Sequence, residues 1–286
     1  MKTPDHYLLL FDGACPFCRW YSLQFVNWKF LAPESRQTLQ SALSSNPGII
    51  PDPERARHEI PLLDRQTGRV LYGIDALSAI LAYRWNWIRI PVQWKWVRWI
   101  LQQLYMFISF NRRIIAGERL QSGACECGPT RHPGYQWTFI VVMALTSVFL
   151  SLWFGHITAP VIQGFFPSFL PIHTLLLVGT GWALQGLAIW FTTPKKRLAY
   201  IGTLSTLAFT GLLVLIGVAI PLFSLFPATL VWGCMNLLIS VSASFIFMWS
   251  QHRKRLRSLC LNQTWHLTWT FNLWLSLFGW VGLLFL

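Results

Sequence analysis

The sequence predicts two fold classes in one chain: an α/β domain at the N-terminus, then an all-α transmembrane helical bundle of about five spans. The first observation behind this is uneven charge. All ten acidic residues lie between Asp5 and Glu126, and beyond Arg131 the basic residues fall in only two clusters, Lys195–Arg197 and Arg253–Arg257. The second is composition: 54% of the 286 residues are hydrophobic and 12% are charged, where an ordinary soluble domain carries about 25% charge. The third is a Cys-x-x-Cys pair, Cys15 and Cys18, at the point where a short apolar run gives way to a helical pattern. No motif recurs at a fixed period, which removes solenoid and collagen-like readings. A net charge of +13 suits a nucleic-acid binder in size. However, the second half places its positive charge only between long apolar runs, the pattern of membrane insertion, so no nucleic-acid partner is expected.

Tyr7–Phe11 is a five-residue apolar run ending in Asp12-Gly13, which reads as a short buried strand and a tight turn. From Arg19 to Phe30 apolar residues recur at helical spacing until Pro33 stops them. Cys15 then stands at the helix N-terminus, with Pro16 at the first helical position where a missing N–H costs nothing. There the helix dipole and free N–H groups favour an anionic sulfur, which makes the pair a redox pair with an activated first thiol. Cys15 is expected to be the exposed nucleophile that attacks a disulfide, and Cys18 the thiol that resolves the mixed disulfide. Asp12 either relays a proton from Cys18 or stabilises the turn. Further on, Glu59–Asp64 and Arg69–Gly73 read as two strands joined through Gln66-Thr67-Gly68, with a helix starting near Asp75. The run from Arg84 to Phe110 interleaves Trp85, Trp87, Trp94, Trp96 and Trp99 with basic residues, which suits a helix in a lipid headgroup region or one packed on the domain core.

The segment Phe11-Asp12-Gly13-Ala14-Cys15-Pro16-Phe17-Cys18 resembles the signature of the DCC thiol-disulfide oxidoreductase family, named for its Asp-x-x-Cys-x-x-Cys motif. Gly73-Ile74-Asp75-Ala76 after the hairpin, and Tyr105 followed by Asn111-Arg112, fit as well. The resemblance covers about residues 7–115. It implies a thioredoxin-like α/β fold and disulfide oxidoreductase activity, in a family poorly defined in substrate. The partner expected here is a disulfide-containing protein or a small-thiol substrate, with no cofactor and no metal. Thioredoxin-like domains also place an Ile-Pro, with the proline cis, opposite their cysteine pair. Ile60-Pro61 is the matching candidate here, the alternative being an edge-strand proline. Pro61, Pro16 and Phe17 are accordingly the expected substrate-binding residues. The domains expected are 1–115 for the thioredoxin-like part, 116–136 for a juxtamembrane linker and 137–286 for the membrane part.

The linker holds a second pair, Cys125 and Cys127. These either relay disulfides to Cys15 and Cys18, join them in a four-thiolate metal site, or are unrelated thiols.

Spans are expected over Trp137–Gly155, Pro171–Thr192, Ala199–Ile220, Thr229–Ser250 and Trp265–Leu286, each near the roughly 20 residues that a hydrocarbon core requires. The connections alternate between basic and uncharged, so the positive-inside rule places the N-terminal domain in the cytoplasm and predicts a multi-pass protein of a bacterial inner membrane. Gly155–Leu170 reads as an external loop or shallow re-entrant turn, and Pro221–Pro227 as a break between the third and fourth spans. His156, His173 and His266 read as interfacial polar residues, and Trp137, Trp153, Trp265, Trp269 and Trp280 as belt anchors. The function predicted is thus a membrane-anchored thiol-disulfide oxidoreductase contacting lipid. The rivals are a redox-sensing or partner-binding scaffold or carrier without turnover, and a metal-binding membrane protein.

Overall fold

The computed structural model describes residues 6–46, 48–50, 52–117, 132–193, 196–225 and 229–284, and the chain divides into two compact units at Gln136/Trp137. In the first unit, β1 (Tyr7–Phe11) enters α1 (Pro16–Asn27) and returns through a 3₁₀ turn at Pro33–Ser35 to β2 (Arg36–Thr38). The short helices α2 (Leu39–Ser45) and α3 (Pro53–His58) lead to the hairpin β3 (Pro61–Asp64) and β4 (Val70–Tyr72). Then come α4 (Gly73–Arg84), a 3₁₀ turn at Asn86–Ile88, α5 (Arg89–Gln93) and α6 (Lys95–Ala116). The sheet order is β2-β1-β3-β4, with β1 parallel to β2 and antiparallel to β3. A β-α-β crossover followed by a hairpin and a helix is the expected thioredoxin-like arrangement, and the strand at its far edge, β2, is one the sequence reading lacked. Both faces of the sheet are covered. Leu8 and Leu10 point into a cluster with Leu39, Ala42 and Ile50, while Leu9 and Leu62 point the other way onto Phe30, Ala76 and Ile80. This alternation is the period-2 geometry of a strand buried on both faces.

Local chemistry explains the hairpin and its exit. Asp64 Oδ1 accepts the Gln66 N–H at 2.9 Å and Oδ2 accepts the Thr67 hydroxyl at 2.8 Å, closing the turn. Gly73 has φ +55, and a Cβ there would lie 2.6 Å from Glu59 Oε2. A Gly73→Ala variant is therefore expected to lose at least about 1 kcal/mol in denaturant unfolding, from the left-handed backbone together with the clash.

The second unit comprises α7 (Pro133–Ile162) from Trp137 onward, α8 (Pro171–Thr192), α9 (Arg197–Leu225), α10 (Leu230–Ser258) and α11 (Thr264–Leu284). Four of them, α7 to α10, are long and apolar enough to cross a membrane. The fifth occupies the expected place, but Thr264–Leu284 carries Trp265, His266, Trp269, Asn272 and Trp274 and falls outside that set. Three boundaries differ from expectation. α7 continues through Pro160 and α9 through Pro221, so the prolines lie inside helices instead of ending them. Within tightly packed helices, neighbouring groups accommodate the missing N–H. The cluster Arg253–Arg257 forms the last turns of α10 and is not a loop, where cations oppose the negative end of the helix dipole. Lys196 Nζ donates to the Leu259 and Cys260 carbonyls at 2.7 and 2.9 Å, which brings the two basic clusters to the same end of this unit.

α9 packs on α10 and α8 on α11. Ser244 Oγ donates to the Gly211 carbonyl at 2.8 Å, which ties α9 to α10 where Gly211 is packed against the Met248 side chain. His266 and Trp269 are not interfacial. Both are buried, and His252 Nδ1 meets His266 Nδ1 at 3.0 Å while its Nε2 meets the Tyr200 hydroxyl at 3.0 Å. Gln185 Nε2 donates to that hydroxyl at 2.8 Å and Gln185 Oε1 accepts from Asn272 Nδ2 at 2.9 Å, so a polar chain links α8, α9, α10 and α11. In such a low-dielectric core, satisfied polar groups fix the register of helices that apolar side chains alone would let slide.

Candidate active site

Asp12 and Gly13 end β1, and the chain turns sharply into α1. Asp12 Oδ1 accepts the Ala14 N–H at 3.0 Å, so the turn-stabilising role of this carboxylate is realised. Cys15 is the N-cap of α1, with Pro16 following at the first helical position. Its Sγ accepts the Cys18 backbone N–H at 3.4 Å, using one of the orphan donors of the helix start. Both cysteines are free thiols.

This arrangement shifts the two thiols in opposite directions. Cys15 is lowered from 9.0 to about 7, chiefly because the Cys18 thiol hydrogen-bonds to it and next because the Cys18 N–H does. Burial opposes this shift, and the Arg112 guanidinium assists it. Cys18 is raised well above the thiol range because its proton is held by Cys15 and because it is buried. One thiol ready to ionise beside one that retains its proton is the division of labour that disulfide exchange needs.

One expectation fails: Cys15 is not exposed. Cys15 and Cys18 are each 1% accessible and pack with Phe11, Phe17 and Tyr21. α6, some ninety residues further along the chain, supplies an arginine beside the pair. Arg112 Nη2 donates to Asp12 Oδ2 at 3.1 Å and to the Arg57 carbonyl at 3.2 Å. Asp12 and Arg112 thus form a buried ion pair, their side chains 6% and 7% exposed. Arg112 also satisfies a last-turn carbonyl of α3, and Ser109 does the same for the His58 carbonyl.

Tyr105, one turn before Ser109, accepts the Ile60 N–H at 2.7 Å through its hydroxyl. Tyr105→Phe strands that N–H and is expected to cost about 1–3 kcal/mol in thermal or denaturant unfolding. Tyr105, Ser109 and Arg112 recur at helical spacing on one face of α6. The sequence signal that would have found the arginine is its position on this inward stripe, next to two groups able to hydrogen-bond.

A cavity of about 250 Å³ adjoins the pair. Cys18 and Phe17 line it from the α1 side, Ile60 from the chain entering β3, Leu77 from α4, and Tyr105, Ile108 and Arg112 from α6. Of the expected substrate-binding residues, the structure places Phe17 in this lining and Pro16 in the helix cap. Pro61 is buried beside Ile60 but is not part of the lining. The expectation of a cis Pro61 is not met, since no peptide bond among the described residues is cis. Nor is Pro61 on an edge: it opens β3, an inner strand, and as the first strand residue it requires no ladder N–H. Cys125 and Cys127 lie outside the described residues. Among the described residues no group of three or more His, Cys, Asp or Glu side chains is arranged to hold a metal.

A mixed sheet whose first strand delivers a Cys-x-x-Cys pair to the start of a helix, with a carboxylate on the connecting turn, is a thioredoxin-like arrangement. The comparison with protein families agrees: a family model described as DCC1-like thiol-disulfide oxidoreductase matches residues 9–118. Residues 9–118 are thus similar to a DCC1-like domain, and among the described residues four apolar helices long enough to cross a membrane follow. No curated protein and no solved structure matches the chain.

Proposed function

We propose that this is a membrane-anchored thiol-disulfide oxidoreductase in which Cys15 attacks and Cys18 resolves. The observation that carries the reading is the N-capping Cys15 sulfur, held by the Cys18 N–H at 3.4 Å with its thiol lowered to about 7. At neutral pH such a thiol is about half ionised, whereas one left at 9.0 is ionised to roughly 1%. The Cys15 thiolate attacks a substrate disulfide, the leaving thiol departs, and the mixed disulfide is then attacked by Cys18 once its proton is lost. Asp12, paired with Arg112, holds the turn that presents the pair and keeps a cation close to both sulfurs. Arg112 and Tyr105 act as positioning residues. Cys125 and Cys127 are assigned a relay role that passes disulfides to or from this pair, and Pro16, Phe17 and Pro61 frame the approach of the substrate.

The thiolate requirement sets a pH dependence. The exchange rate of the full chain with a small model disulfide is expected to rise about tenfold per pH unit up to about pH 7 and to level above it, because the fraction ionised rises with pH through the Cys15 titration. A profile that continues to climb to pH 9 means that Cys15 is not activated. In a Cys18→Ser variant the mixed disulfide on Cys15 is expected to accumulate and to identify the substrate. Capture on Cys18 in a Cys15→Ser variant at equal yield would reverse the two roles.

The domain is proposed to face the cytoplasm. The support is the clustering of Lys196 and Arg253–Arg257 at one end of the helical unit, which cationic loops occupy on the inside. Cys260, exposed beside that cluster, is expected to react with a membrane-impermeant maleimide only after the cells are permeabilised. Labelling in intact cells would invert the orientation.

A further inference from the structure

We propose that the cavity beside Cys18 receives the ring of a lipid-soluble quinone, which takes up the two electrons of the Cys15/Cys18 dithiol. The proposal rests on the thiol-exchange reading above and specifies the small-molecule partner of the same pair.

Access comes first. With both thiols 1% accessible, the opening at the pair is the cavity of about 250 Å³ that Cys18 itself lines. Ligand pockets run from roughly 300 to 1,000 Å³, so this space suits one substituted ring.

The walls then restrict the chemistry. Phe17, Tyr21, Phe25, Ile60, Leu77 and Ile108 give an apolar, largely aromatic enclosure. Among its polar groups, the Ser109 hydroxyl donates to the His58 carbonyl and the Tyr105 hydroxyl accepts the Ile60 N–H. Arg112 is different: it is 6% exposed, its charge is matched by Asp12, and its Nε is buried without a hydrogen-bond partner. The walls therefore offer a ligand almost no accessible polar surface, which suits a neutral, largely apolar ring. An anionic disulfide such as a thiol tripeptide would place net charge in an apolar enclosure where the arginine is already neutralised.

The route of entry points to a lipid-phase ligand. Trp96, Ile100, Leu104 and Ile108 follow one another at four-residue spacing on α6, and all are exposed, at 62%, 42%, 54% and 43%. Trp99 flanks them at 65%. A continuous apolar stripe of this kind is what a helix lying in a lipid interface presents. Ile108 is both its last member and part of the cavity lining, so the stripe ends at the cavity mouth.

The electron balance is complete without another reactant. The Cys15 thiolate, which already holds the Cys18 proton by a hydrogen bond, takes that proton as the Cys18 sulfur adds to the quinone ring, and the proton passes on to a ring oxygen, leaving Cys15 a thiolate again. The Cys15 thiolate then attacks Cys18, forming the S–S bond and breaking the S–C bond, and that electron pair returns to the ring. One further proton from solvent gives the hydroquinone. Two sulfurs are oxidised by one electron each and the quinone is reduced by two.

The test uses the full chain, reduced, in lipid nanodiscs, with a decyl-chain dimethoxybenzoquinone and separately with a small model disulfide. The expected result is saturable quinone reduction at one quinone per protein, with Cys15 and Cys18 recovered as a disulfide by peptide mapping. A redox-inert dimethoxybenzene with the same decyl chain should compete in the wild-type protein. Ile108→Trp, which fills the mouth, should lower the quinone rate relative to the disulfide rate at least tenfold. The competition measurement stands on its own if that variant does not fold. If the wild type exchanges with the model disulfide yet reduces quinone no faster than Cys15→Ser, the inference is overturned and the exchange reading stands. Arylated cysteines with no Cys15–Cys18 disulfide overturn it as well. Inertness towards both compounds removes both readings.

Discussion

Replacing Cys15 with serine is expected to reduce disulfide exchange by the full chain to the rate of the uncatalysed reaction, while the protein remains folded. A hydroxyl occupies the N-cap as well as a thiol does and accepts the same Cys18 N–H, so the start of α1 loses little. What is lost is a nucleophile lowered to about 7, because a serine hydroxyl neither ionises near neutrality nor forms a mixed disulfide. Cys18 does not compensate. Its proton is held and it is buried, and it is raised well above the ordinary thiol range. Residual activity within a few-fold of wild type would transfer the attack to another thiol, with the linker pair Cys125 and Cys127 first in line.

Replacing Arg112 with methionine is expected to be the most destabilising single change in the first unit, by about 3–5 kcal/mol. The substitution keeps most of the apolar volume but leaves the Asp12 carboxylate buried without its cation, and it removes the donor to the Arg57 carbonyl. Heating the full chain and following the reactivity of the two buried thiols should show the transition lowered by roughly 10–20 °C. The double variant Asp12→Asn/Arg112→Met removes both charges. It is expected to recover much of the loss, because the cost lies in the stranded charge and not in the absence of the pair. A single variant as stable as wild type would show that the pair contributes nothing to folding. The same substitution should also move the Cys15 titration upward, since the guanidinium favours its thiolate.

Much of the redox unit was legible in the sequence because its signals are local. The run Tyr7–Phe11, the Asp-Gly turn and the Cys-Pro start of a helix are each encoded within a few residues, and all three appear where expected. The hairpin and α4 also lie within two or three residues of expectation. β2, α2 and α3 did not show because elements of three to seven residues leave almost no periodicity. The burial of Cys15, the Arg112 ion pair and the cavity depend on α6 returning across the sheet, a long-range fact that spacing near the motif does not carry.

In the helical unit, hydropathy located all five helices but not their ends. Pro160 and Pro221 read as breaks on the rules of isolated helices, whereas packed helices run through them. His252 stands one residue before the basic cluster Arg253–Arg257 and carries no signal of its own there, yet it pairs with His266 from the next helix.

The most direct test of the account is a redox titration of the full chain in defined dithiol/disulfide buffers, with the state of each cysteine read by alkylation and peptide mapping. Cys15 and Cys18 should interconvert together between dithiol and a single intramolecular disulfide, following a two-electron curve in which each 29.6 mV changes the ratio tenfold. Cys15 and Cys18 remaining separately alkylatable across the whole range, or each forming adducts with the buffer independently, would contradict it.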